Sequence, residues 1–233
     1  MMVGKGVEDI DIGMPRDAYE TGKDTPTFNA YLTIIVRDSE GRVTKIHRQR
    51  SHSPTANFIG LMLPTVYFSN TNNSYTLKNT GNGTCSYQPG IGTNYYDIAY
   101  PNAASNYNTY LVMIQVGSGQ QSNPYNAYSL ASPIANGSGA GQLVYGQLSL
   151  PSNVTVSGSE VYFNISQAFN NQSGGTVTIT EVGIILYVSF AQPHNNYSSG
   201  CGQTLVWYDV LSSPISIPNG GTLVIYYTFT VNP

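Results

Sequence analysis

Charge is what this sequence has least of. Asp, Glu, Lys and Arg make up 9% of its 233 residues, against roughly 25% in ordinary soluble domains. The shortage is uneven. Eight of the nine basic residues lie between Lys5 and Arg50, and the ninth is Lys78. Eight of the twelve acidic residues lie between Glu8 and Glu40. Beyond residue 78 there is no Lys or Arg, and only Asp97, Glu160, Glu181 and Asp209 are acidic.

Other absences narrow the function. No stretch approaches the ~18 consecutive apolar residues of a membrane helix, so no transmembrane segment is expected. The opening MMVGKGVEDIDIGMPRD lacks the apolar run of a secretory signal. There is no CxxC pair and no His/Cys cluster, which argues against structural zinc; neither metal nor cofactor is expected. GxSxG, a phosphate loop and GxGxxG before a helix are all missing. The histidines, His47, His52 and His194, have no sequence link to a serine nucleophile. Glu160, Glu181 and Asp209 are carboxylates in or beside predicted strands, where a structural hydrogen bond is the better reading. No enzymatic activity is expected.

In place of charge stand 19 Tyr, 24 Gly and many Asn, Ser and Thr. These groups keep their protonation state up to a pH of about 10, where Tyr ionises. Acid changes such a surface little. The first fifth of the chain therefore reads as a partner-contacting region and the rest as a surface for a harsh exterior.

Periodicity predicts an all-β chain, an antiparallel β-sandwich of jelly-roll-like kind with an immunoglobulin-like sandwich as the alternative. Residues 1–26 read as an N-terminal arm, and 27–233 as the sandwich domain. Phe28, Ala30, Leu32, Ile34 and Val36 share one strand face. Asp38 to Gly41 form a turn, and a second strand runs to about Arg50. One short helix is expected near residues 54–63, with Ser53 as cap, Pro54 in the first turn and Pro64 as its stop. Residues 69–108 read as a long Tyr/Asn-rich loop with one short strand near Tyr75 to Leu77. Further strands are expected at 110–116, where apolar residues on both faces suggest a central position, at 142–148, along Val161, Phe163, Ile165 and Phe169, at 205–211, and at 223–231. Val177 and Ile179 point one way and Val182, Ile184, Leu186 and Val188 the other; the apolar phase slips near Glu181 and Gly183, which points to a β-bulge or a strand bending between sheets.

Four groups of residues are candidates for contact or modification. Cys85 and Cys201 leave two readings open, a disulfide or two free thiols. Lys45, His47, Arg48 and Arg50 form the densest run of charge. It is read as a protected strand edge or a docking surface for a partner, with nucleic acid not expected because the chain is net acidic. Tyr95, Tyr96, Tyr100 and Tyr107 suggest an outer contact surface, since Tyr gives large contact area at low entropy cost. Seven Asn-x-Ser/Thr sequons occur, with Asn82, Asn136 and Asn196 the candidates for glycosylation.

Two stretches carry a family resemblance. RDSEGRVTKIHRQRSHSPTANFIGLML resembles virion-associated proteins of tailed phages and archaeal viruses. The second resembles a C-terminal β-module that recurs in such proteins. Its parts here are Phe169 to Ser173, Thr180 to Gly183, Asp209 with Val210, and Pro218 to Gly220. Trp207 and Tyr208 stand where that pattern would have an Arg before the Asp. The charge-poor, Tyr-rich surface is similar to that of viruses of Sulfolobales. The resemblance implies a virion structural protein, a tail adaptor or nozzle or a vertex turret, found in the virion as a homo-oligomer with other virion proteins as partners. The alternative is a lectin-like module for host surface glycans.

Overall fold

A computed structural model of the chain describes residues 27–51, 53–66, 75–87, 112–190 and 199–232. The arm at 1–26 lies outside these residues. The expected all-β antiparallel sandwich is what the chain forms. In the larger sheet the order is β2 (Val43–Ser51), β1 (Thr27–Arg37), β11 (Thr222–Asn232), β8 (Glu160–Asn170), β6 (Val144–Ser149). A short β7 (Thr155–Ser157) also pairs with β8. The smaller sheet is β10 (Ser199–Ile217), β9 (Val177–Phe190), β5 (Val112–Gly117). A separate hairpin pairs β3 (Tyr75–Lys78) with β4 (Thr84–Tyr87).

Strands with clean period-two patterns lie where that pattern requires, one face inward. On β1, Ala30, Leu32, Ile34 and Val36 enter the main core, opposite Phe229, Tyr227, Ile225 and Leu223 of β11, and the other face, with Tyr31, Thr33 and Ile35, is buried as well. Each fully buried aliphatic side chain stabilises the fold by about 1.5–3 kcal/mol. The main core lies between the sheets, where these residues meet Val182, Ile184, Trp207, Ile215 and Ile217. Polar side chains also cross it. Gln167 of β8 is buried, accepts the Ile114 N–H of β5 at 2.7 Å, and donates to the Gly146 carbonyl of β6 at 3.0 Å.

Several expectations need correction. β5 is an edge strand in hydrogen-bonding terms, pairing with β9 alone among the described strands. It is apolar on both faces because the far side of the small sheet is also covered. Met113, Ile185, Leu205 and Tyr208 form a second core there with Ala127 and Leu130 of the segment 118–133. The free edge of β5 is met by the residue that follows this segment, through Ile134 N–H to Val116 O at 2.9 Å.

The helix α1 spans Ala56–Val66, starting and ending later than expected. Pro54 is held outside it by a bridge to Trp207. Ser53, expected as the cap, instead gives its carbonyl to the Tyr208 N–H at 3.0 Å. Thr55 occupies the boundary: its carbonyl accepts from Phe58 N–H at 3.0 Å, and its hydroxyl donates to Leu205 O at 2.8 Å. Pro64 lies in the last turn, where a missing N–H costs only one helical bond. Asn57 ties the helix to two neighbours, donating to Leu205 O at 3.0 Å and to Lys78 O at 2.9 Å while accepting Lys78 N–H at 2.8 Å.

Part of the expected 69–108 loop is the β3–β4 hairpin, so the short strand expected there has a partner. The phase slip falls inside an unbroken β9. Its partner absorbs it: residues 211–214 of β10 lie across from the single β9 residue Thr180.

Candidate functional site

The two buried carboxylates stand on neighbouring strands of the small sheet and reach to opposite sides of it. On the side facing the large sheet, Asp209 accepts the Ser51 hydroxyl at 2.6 Å and the Tyr227 hydroxyl at 2.9 Å. Ser51 Oγ in turn accepts the Trp207 indole N–H. This chain of polar groups joins β10 to β2 and β11 inside an aromatic cluster. Trp207 meets Phe58 and Phe229 edge to face, with ring centroids 5.3 and 5.2 Å apart. Burial, with the negative Asp209 beside it, holds the Tyr227 phenol well above its usual range.

On the far side, Glu181 gathers the covering segment. Its carboxylate accepts the backbone N–H groups of Gly119 at 3.1 Å, Ala131 at 2.9 Å and Ser132 at 2.8 Å, and the Tyr208 hydroxyl at 2.8 Å. Tyr208 then accepts Gln121 N–H at 2.7 Å, and Thr180 donates to Gly119 O at 2.7 Å. A segment without its own hydrogen-bond ladder cannot bury backbone donors unless something accepts them. Gly117 has no side chain because a Cβ there would collide with the Glu181 carboxylate and lie 2.7 Å from Ser132 O. Burial pushes the Tyr208 phenol far above its usual range, and Glu181 adds to that.

Glycosidase chemistry needs two carboxyl groups facing one bond across a short gap. Glu181 and Asp209 have a sheet between them. Glu160 is remote from both, at the β7–β8 turn, where one carboxylate oxygen is buried without a partner. Among the described residues no group of three or more His, Cys, Asp or Glu could hold a metal ion. No described helix is long and apolar enough to cross a membrane.

The basic run splits by strand geometry. Lys45, His47 and Gln49 turn towards β10: Lys45 donates to Pro214 O at 3.2 Å, and Gln49 donates to Val210 O at 3.0 Å and accepts Ser212 N–H at 3.0 Å. His47 bonds Gln49 at 2.9 Å. Arg48 and Arg50 alternate to the other face with Ile46. Arg50 donates to Asn29 Oδ1 at 2.7 Å.

Cys85 of β4 is disulfide-bonded to Cys201 of β10, their Cα atoms 5.5 Å apart. Of the sequons, Asn82 is exposed at the tip of the β3–β4 hairpin in a left-handed conformation, φ 68°. Asn136 is engaged, its Oδ1 accepting Tyr145 N–H at 2.9 Å. Tyr95, Tyr96, Tyr100, Tyr107, His52, His194 and Asn196 lie outside the described residues.

The residues that carried the resemblance turn out to be hydrogen-bond hubs. Besides Glu181 and Asp209, Asn171 is fully buried and donates to Gly175 O and Ile217 O at 2.8 Å each. Its backbone bonds Gly220 and Gly221, and Asn219 accepts Gly174 N–H at 3.0 Å. The Phe169–Ser173 and Pro218–Gly220 turns are thus one joined structure.

Composition and periodicity did not single out a cavity of about 180 Å³ at one end of the sandwich. It is lined by Phe28, Asn29, Arg50, Ser51, Pro54 and Trp207 among others. The signals for it were present but weak: Trp207 is the chain's one tryptophan, and Phe28 begins its strand face where the core ends. No protein-family model, curated protein or solved structure matches this chain.

Proposed function

We propose that this chain is a structural subunit of a virus particle, part of a tail or vertex assembly, that works by associating with copies of itself and with other virion proteins. The observation that carries this reading is where the charge sits. Every described Lys and Arg except Lys78 lies on the β1–β2 hairpin, and β2 is an edge of the large sheet. Beside Arg48 and Arg50 that strand exposes Val43 (40%) and Ile46 (46%). A mixed basic and apolar strip on a sheet edge suits docking to a partner, and its cations discourage indiscriminate strand pairing. Among the described residues the rest of the surface carries few charges, which suits a particle exposed to an acidic exterior after assembly in the host cytoplasm. The resemblance of the C-terminal module supports the same context.

Light scattering on the eluting protein, at neutral and at acidic pH, tests the assembly reading. A discrete oligomer or filaments at either pH is the expected result. Arg48→Glu with Arg50→Glu should then dissociate it. A monomer at both pH values, with no association to other proteins of the particle, would move the reading to the lectin-like alternative, which the cavity beside Phe28 favours.

A further inference from the structure

The outer face of the large sheet is open on most of its strands and closed along one. Register puts Tyr31, Thr33 and Ile35 of β1 on this face, beside Arg50, Arg48 and Ile46 of β2 on one side and Thr228, Tyr226 and Val224 of β11 on the other. The three β2 residues are exposed and the three β11 residues half-buried. Yet Tyr31 is 7% exposed and Ile35 3%, and neither belongs to either hydrophobic core among the described residues. Burial confined to a strip one strand wide is the footprint of an extended segment, since a layer packed on a sheet covers several strands.

The sequence before Thr27 has the composition to fill that strip. Residues 1–26 hold six of the chain's twelve acidic residues, Glu8, Asp9, Asp11, Asp17, Glu20 and Asp24, against the cations Lys5, Arg16 and Lys23. Most of the other acids are committed elsewhere, Asp38 and Glu40 to Arg42, and Glu181 and Asp209 to donors inside the sandwich. Asp9 and Asp11 alternate with Ile10, Ile12 and Met14, so an extended chain carries acids on one side and apolar residues on the other. Twenty-six residues reach up to about 90 Å, against about 35 Å for β1, so the segment can turn at Thr27 and run back along the strand it precedes. The order also matches. Running back from Thr27, it passes the levels of Arg50, Arg48 and then Ile46 with Ile35, and it offers Glu20, Asp17 and then Met14, Ile12 and Ile10.

We propose that this face seats the chain's own acidic segment, residues 10–20, with Asp17 and Glu20 at Arg48 and Arg50 and the apolar side chains against Ile35 and Ile46. The segment then occupies the docking strip, and a partner must displace it. That consequence rests on the assembly reading; the seat itself does not.

Hydroxyl-radical footprinting with mass spectrometry reads side-chain accessibility in the full-length protein. At a dilution where light scattering gives a monomer, Tyr31 and Ile35 should be protected much as the core residue Tyr227 is, which is 0% exposed. Asp17→Lys with Glu20→Lys should raise oxidation of Tyr31 and Ile35 severalfold and leave Tyr227 unchanged, the check that the sandwich is intact. Arg48→Glu with Arg50→Glu should do the same. Both pairs together should restore protection, because the charges are then exchanged and not lost. Unchanged oxidation in either pair, or no restoration in the combined variant, overturns the proposal. So does protection that appears only as concentration rises, which makes the occupant another copy. The same samples separate the seat from the assembly reading. Protected Tyr31 and Ile35 in a chain that never associates uphold the seat and remove the assembly reading; accessible Tyr31 and Ile35 in a chain that does associate do the reverse.

Discussion

The two faces of the small sheet are both buried, and they are buried by different means. The inner face packs on another sheet, whose strands satisfy their own backbone groups, so almost everything at the contact is apolar. Its one carboxylate, Asp209, receives side-chain hydroxyls. The outer face is covered by the segment 118–133, which has little ladder of its own. There the carboxylate, Glu181, receives three backbone N–H groups besides one phenol. The same residue type therefore does two jobs. Asp209 fixes how the strands β10, β2 and β11 sit against each other, and Glu181 makes it affordable to cover a sheet with a loop.

This contrast can be broken at its strongest point first. Glu181→Ala should destabilise the protein by about 4 kcal/mol, since each orphaned buried donor costs about 1–3 kcal/mol. The loss should be local, with amide exchange accelerating at residues 118–133 before the rest. Uniform acceleration in chemical denaturation and exchange experiments would mean that the segment is not a separate unit. Asp209→Ala should cost less, about 2 kcal/mol, because the Ser51 and Tyr227 hydroxyls can turn to other acceptors. Its signature should be a shift in Trp207 emission through Ser51, with the exchange of 118–133 unchanged.

Each carboxylate holds one buried tyrosine, so the faces can also be compared by pH. The Tyr208 and Tyr227 phenols both have raised pKa values in the fold. Their contribution is fully present below the unfolded value of about 10 and is lost as the pH rises beyond it, because the unfolded chain then releases protons the folded chain retains. The unfolding free energy from urea titrations should be level up to about pH 10 and then fall by up to about 1.4 kcal/mol per pH unit for each phenol. Tyr208→Phe and Tyr227→Phe should each remove part of that slope, and an unchanged slope in either variant would remove that tyrosine from the account.

The smallest effect should come from outside both faces. In the β1–β2 turn, the hydrogen bond from Arg42 lowers the Asp38 pKa. The benefit is present above the ordinary Asp value and lost as the pH falls through the lowered one. The pair is exposed, so Asp38→Asn should change the thermal midpoint at neutral pH hardly at all.

How much of this was legible depends on how local each cause is. The strands β8 and β11 could be read residue by residue, because each has one face on the core and period-two alternation records it, whereas on β1 the alternation found the core face but not the burial of Tyr31, Thr33 and Ile35 on the other. The 38–41 turn was legible for the same reason: Asp38 accepts the N–H groups of Glu40 and Arg42 within its own segment. The helix start was displaced because Pro54 and Thr55 are claimed by Trp207, Val206 and Leu205, some 150 residues away in the chain. The second strand of the small hairpin, Thr84–Tyr87, is four residues long, too short for its alternation to stand out from the Ser-, Thr- and Asn-rich stretch around it. The apolar pattern of β5 misled because burial on both faces can come from a second sheet or from a covering segment, and sequence does not distinguish them.

By itself, then, the sequence determined the fold class, the strand faces and the concentration of charge in the first fifth of the chain, since these depend on side-chain type and on spacing along the chain. Tertiary structure alone decided that Glu181 and Asp209 face apart, that Lys45 and His47 turn to β10 while Arg48 and Arg50 do not, and that Phe28, Arg50 and Trp207 share a cavity. Those facts depend on sheet pairing and register between residues far apart in the chain, and no local pattern encodes which distant strand a side chain will meet.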